Sequence, residues 1–91
     1  MDTVIFDLDA LRILAENIDS YMKLYEVENV EALAVQCGTT KAQIYAILRG
    51  ATTPKIDFID KMAKGMGVTA AQLLTEKYFD QFEKKIVKKK T

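Results

Sequence analysis

The chain has no histidine, one cysteine, one proline and no long apolar run, and each shortage closes off a class of function. Without histidine, and with Cys37 alone, the usual Cys/His zinc spacings cannot be assembled. A lone cysteine also forms no internal disulfide, which suits a reducing cytoplasm. No stretch approaches the ~18 apolar residues of a membrane span, and the N-terminus is acidic rather than basic, so neither a membrane segment nor a signal peptide is expected. A Gly-rich phosphate loop is missing, as is any carboxylate pair whose spacing reads as a pocket. Enzyme chemistry, a metal and a cofactor are therefore not expected. Cys37 reads as a small buried hydrophobe at a helix end rather than a reactive thiol.

Net charge is lacking too: 13 basic residues balance 13 acidic ones. The distribution is uneven. Residues 1–31 hold eight acids (Asp2, Asp7, Asp9, Glu16, Asp19, Glu26, Glu28, Glu31) against Arg12 and Lys23, while residues 32–91 hold eleven bases against five acids. A two-signed molecule can present a positive face to a polyanion while its other half is solvated.

What is present is helical periodicity in a 91-residue chain, enough for one domain with a modest core. Residues 1–10 read as an arm, in which Val4, Phe6 and Leu8 alternate and hint at a short strand. From about Leu8 the period becomes helical: Leu11, Ala15, Ile18, Met22 and Tyr25 recur at three and four, and Leu14 and Tyr21 widen the stripe. Asp7 or Asp9 can cap its start. Asn29 is placed to cap a second helix, Val30 to about Cys37. Pro54 suits the first position of a later helix with Thr53 as its cap. That helix carries Ile56, Ile59, Met62, Ala63 and Met66 on one face and ends at Gly67. Thr69 caps a short turn through residue 74. Thr75 to Val87 reads as one more helix, with Phe79, Phe82 and Ile86 in a stripe, followed by a lysine-rich tail.

Leu33 to Gly50 organises the rest. Leu33, Ala34 and Cys37 make one apolar face, and Ile44, Ile47 and Leu48 make another. Gly38 between them can take the positive φ that ends a helix, and Thr40 can cap the next one. Two short helices around such a turn form a helix-turn-helix unit.

With these residues in place, the segment from about Leu11 to Leu74 resembles the Cro/repressor-type (lambda-repressor-like, XRE) helix-turn-helix domains. Leu33-Ala34, Gly38, Thr40, Ile44, Ile47, Arg49-Gly50, Pro54, Met62-Ala63, Met66-Gly67-Val68 and Gln72-Leu73-Leu74 carry the resemblance through their order and spacing. It implies an all-α fold with a compact five-helix bundle over residues 11–74, dimeric binding to double-stranded operator DNA, and transcriptional regulation; the extra C-terminal helix with its basic tail, over 75–91, is read from periodicity alone. Where that family often has Gln at the start of its second helix, this chain has Val30. Where a Glu often precedes Arg-Gly, it has Leu48, so apolar packing is expected there instead of an ion pair.

With Ile44, Ile47 and Leu48 turned inward, the opposite face shows Ala42, Tyr45, Ala46 and Arg49, with Gln43 on a flank and Lys41 in the first turn. The N-terminal part of such a helix enters the major groove. Lys41, Ala42, Gln43, Tyr45 and Ala46 are then the expected base contacts: Lys41 to guanine, Gln43 to adenine, the alanines to a thymine methyl. Asn29, Val30, Thr40, Arg49, Thr52 and Lys55 are the expected backbone contacts. Phe79, Phe82 and Ile86 are the candidates for a homodimer contact, or else fold back over their own core. The reading is a sequence-specific regulator, a phage or prophage repressor in the cytoplasm. The alternative is a protein-binding module or antitoxin on the same scaffold.

Overall fold

The computed structural model describes the backbone of residues 2–82 and the side chains of residues 9–82. Five helices follow one another: α1 (Asp2–Leu24), α2 (Val30–Cys37), α3 (Lys41–Leu48), α4 (Ile56–Gly65) and α5 (Ala70–Leu73), with no strand among the described residues. The all-helical expectation is met. α1 begins at Asp2 rather than near Leu8, so the hinted strand is replaced by helix. Val4, Leu8 and Leu11 sit at intervals of four and three, which continues the helical stripe as well as the alternation suggested a strand.

The caps explain where the central helices start and stop. Asn29 Oδ1 accepts from the Ala32 N–H at 2.8 Å, satisfying an orphan donor of α2. Gly38 takes φ 72° and its N–H reaches the carbonyls of Ala34 and Val35, a left-handed cap that glycine adopts without a Cβ penalty. Thr40 Oγ1 accepts from the Gln43 N–H and opens α3. Thr69 and Gln72 form a full capping box at α5. The expected cap at Thr53 is not used: Lys55 is the N-cap residue of α4, without a side-chain cap bond, and Pro54 lies in the extended loop before it. Consequently Ile56 falls in the first turn, outside the inward face, and is 70% exposed.

The core joins all five helices. Leu14, Ile18 and Tyr21 of α1 meet Leu33, Ala34 and Cys37 of α2, Ile44 and Ile47 of α3, Ile59, Met62 and Ala63 of α4, and Leu73 of α5. Full burial of each large aliphatic residue contributes about 1.5–3 kcal/mol. Leu48 packs against this core, the apolar role expected of it. Tyr21 is buried, whereas Tyr25, just past the end of α1, is 53% exposed and leaves the inward stripe, its ring centroid 4.7 Å from that of Tyr21.

Residues 75–79 are turns, not the helix expected from Thr75 onward, with Lys77 at φ 59°; helical backbone appears at 80–82. This segment is bound to α1 from two sides. The buried Asn17 amide donates to the Leu73 carbonyl at 2.6 Å and to the Thr75 carbonyl at 2.8 Å. Arg12 pairs with Asp9 and Glu16 on its own helix and with Glu76 across the gap. Asp9 first, then Glu16, raise the Arg12 pKa above its ordinary value. The cluster is solvent-exposed, so little stability follows from it.

One contact fixes how closely α2 and α4 approach. A Cβ built on Gly65 would lie 2.7 Å from Cys37 Cα and 2.7 Å from its Sγ. Replacing a helical glycine by alanine ordinarily stabilises by roughly 1 kcal/mol. Here the sign is expected to reverse, with Gly65→Ala costing about 1–3 kcal/mol through overpacking. Urea unfolding decides it, and a stabilised variant would show that the two helices part without cost. Trimming Cys37 cannot relieve the clash, because one of the nearest atoms belongs to the backbone.

Candidate nucleic-acid interface

α3 is held by its inner face and free on its outer one. Ile44 and Ile47 are 0% and 1% exposed, while Lys41, Ala42, Gln43, Tyr45 and Arg49 lie on the surface and Ala46 is half-buried. The five residues expected to contact bases therefore share one accessible strip. Its two alanines keep the strip low, and Tyr45, 44% exposed, stands out from it. A low ridge of this kind can approach base edges closely.

The charge near the strip is mainly basic, with Asp57 on the wall of the adjoining cleft. No acidic residue occurs between Glu31 and Asp57, a span that holds Lys41, Arg49 and Lys55. Among the described residues, Lys41 and Arg49 make no ion pair. Their ammonium and guanidinium groups are available to an anion.

Of the expected backbone contacts, Asn29, Thr40, Arg49, Thr52 and Lys55 are exposed. Asn29 and Thr40 are exposed caps, so their helices present first-turn N–H groups near the surface. The Val30 side chain is buried, which leaves only its backbone for such a role. Thr52 and Lys55 are exposed in the loop after α3. There they line an open cleft of about 600 Å³ between α3 and α4, shared with Ala42, Gln43, Ala46 and Phe58.

Two residues at this site were not anticipated from sequence. Lys61, on the cleft wall, donates to the Gly38 carbonyl at 3.2 Å and so pins the turn between α2 and α3 from α4. Thr39 donates its hydroxyl to the Gln43 Oε1. The adjacency of Thr39 to the cap was the only sequence signal; Lys61 had none, because its partner lies 23 residues away.

The proposed dimer contacts divide. Phe79 is 2% exposed and stacks edge-on against Tyr21 and Tyr78, so its ring belongs to its own core and offers no face to a partner. Phe82 is half-buried beside it. Ile86 lies outside the described residues. Cys37 is buried between α2 and α4, where burial pushes its thiol pKa up and keeps it protonated. No group of acidic, cysteine or histidine side chains able to hold a metal occurs among the described residues, and no described helix is long and apolar enough to cross a membrane.

Residues 29–73, from the α2 cap to the last residue of α5, match the family model described as Helix-turn-helix. Searches among curated proteins and among solved structures returned no match. The capped α2–turn–α3 unit and the family match agree: residues 29–73 form a helix-turn-helix domain of the XRE, lambda-repressor-like kind, which supports a DNA-binding regulator.

Proposed function

We propose that the protein is a sequence-specific transcriptional repressor of phage or prophage type that binds a palindromic operator as a dimer in the cytoplasm. The observation that carries this is the α3 strip, with Ile44 and Ile47 fully buried behind it and Lys41, Ala42, Gln43, Tyr45 and Ala46 in front. α3 enters the major groove. Lys41 donates to base acceptors, the alanines admit close approach, and Tyr45 reaches a base or sugar. Asn29, the Val30 N–H, Thr40, Arg49, Thr52 and Lys55 hold phosphates and fix the register. One protomer reads half a site, so useful affinity requires two protomers on half-sites about one DNA turn apart. Phe82 and Ile86 remain candidates for the contact between them.

Selection from random duplexes is expected to yield a short, roughly palindromic consensus whose binding weakens steeply with salt. Lys41→Ala should cost about 1–3 kcal/mol on that consensus and relax one base position, whereas Arg49→Ala should weaken all sequences alike. A second reading, a protein-binding or antitoxin-like module, is favoured by the exposed acids Glu26, Glu28 and Glu31 at the N-terminal end of α2, which flank Asn29 and Val30 and oppose a phosphate there. No enriched duplex, with a protein bound instead, would decide for that reading.

A further inference from the structure

α4 carries two Asp–Lys pairs at the i, i+4 spacing that favours an ion pair on a helix surface, Asp57–Lys61 and Asp60–Lys64. The second pair is closed, with Lys64 Nζ 3.3 Å from Asp60 Oδ2. The first is open. Among the described residues neither Asp57 nor Lys61 makes an ion pair, and Lys61 instead reaches off its own helix to donate to the Gly38 carbonyl at 3.2 Å. The carbonyl end of α2 has reason to attract it. That helix has no basic residue of its own in its last turn, and a helix C-terminus favours a cation. The carbonyl takes one of the three ammonium donors and leaves two.

Both members of the open pair line the cleft between α3 and α4, as does Lys55. Ala42, Gln43 and Ala46 of the α3 strip line the same cleft, so it runs along one flank of the helix proposed to enter the major groove. A helix with its side chains is about 10–12 Å across and the major groove about 12 Å wide, so a helix seated there has a sugar–phosphate backbone against each flank. A phosphate in the cleft meets two ammonium groups and one carboxylate. We propose that Lys61 is a phosphate-binding residue and the α3–α4 cleft the seat of one strand's backbone, with Asp57 weakening that hold by opposing the phosphate. The bond to Gly38 holds the ammonium off Asp57 and leaves its other donors for the strand. This inference rests on the proposed DNA-binding function and adds a contact from the body of α4.

The test is the salt dependence of binding by the full chain, on a duplex obtained by random selection and on an unrelated duplex. Lys61→Met keeps the aliphatic stem and removes the charge. It should weaken both duplexes alike, by several-fold, and make the fall of log K with log salt shallower by about one. Lys61→Arg should restore both. Asp57→Asn should act the other way and tighten both duplexes. Lys64→Met, which removes a charge from α4 outside the cleft, should leave the slope unchanged. An unchanged slope in Lys61→Met would mean that Lys61 acts only on the turn between α2 and α3, and it overturns the inference. So does an Asp57→Asn protein that binds no more tightly, a result that stands even if Lys61→Met does not fold. A slope lowered equally by Lys64→Met also overturns it, because the effect would then belong to the charge of α4 at large. Failure of the unaltered protein to bind either duplex would instead remove the DNA-binding reading, and the inference with it.

Discussion

Phe79→Ala is expected to cost about 3–5 kcal/mol, a large share of the ~5–15 kcal/mol that holds a domain of this kind folded. The ring is 2% exposed, with its centroid 5.4 Å from that of Tyr21 and 5.1 Å from that of Tyr78. Edge-on geometry of this sort adds to simple burial. Truncation leaves a cavity between α1 and the segment after α5, and the turn backbone there has little of its own to keep it in place. Thermal unfolding at two protein concentrations tests this. The loss should be the same at both, as a packing defect within one chain requires. Normal stability together with a reduced assembled mass would return Phe79 to an intermolecular interface.

Asn17→Leu is expected to be nearly as severe, at about 2–4 kcal/mol, although it substitutes an apolar residue of similar size into a buried site. The Asn17 side chain is 1% exposed and gives two hydrogen bonds to carbonyls at the end of α5 and just beyond it. Leucine leaves those carbonyls without their donor, and an unsatisfied buried acceptor costs more than its hydrogen bond contributed. Asn17→Asp gives the same loss a pH dependence. Facing two carbonyls, the aspartate must keep its proton to donate, so its folded pKa lies above the unfolded value near 3.9. Its stability is then fullest below that value and falls as pH rises through the folded pKa. Urea unfolding between acid and neutral pH reads the slope. A stable Asn17→Leu protein would mean that the two carbonyls find water without cost.

The helix-turn-helix unit was legible in the sequence because its determinants are local. Asn29, Gly38, Thr40 and Thr69 each act within four residues of themselves, and all four cap where periodicity placed them. The strip from Lys41 to Arg49 was legible for the same reason: its position follows from the inward set Ile44 and Ile47. What stayed hidden depends on distant parts of the chain. Asn17 is a polar residue between Leu14 and Ile18, and nothing near it announces acceptors 56 and 58 residues away. Gly65 looks like a helix end, and only the position of Cys37 shows why a side chain is excluded. The Phe79–Phe82 spacing fits a helix, but a turn satisfies the aromatic contacts equally well. At α4, Pro54 was compatible with the first helical position, yet the chain stays extended through Lys55.

The tie between Asn17 and the carbonyls of Leu73 and Thr75 separates two units that are easily taken for one: the stretch that matches the family and the stretch that folds. The family signature spans residues 29–73. Leu14, Ile18 and Tyr21 come before it and Phe79 after it, yet all four sit in the same core as Ile44 and Ile47. Cut to the matched residues 29–73, the chain would keep every residue proposed to read bases and lose part of the wall against which they are held. The residues on either side of the match hold that surface from behind, tied there by the buried Asn17 amide and by the Tyr21–Phe79 ring contact.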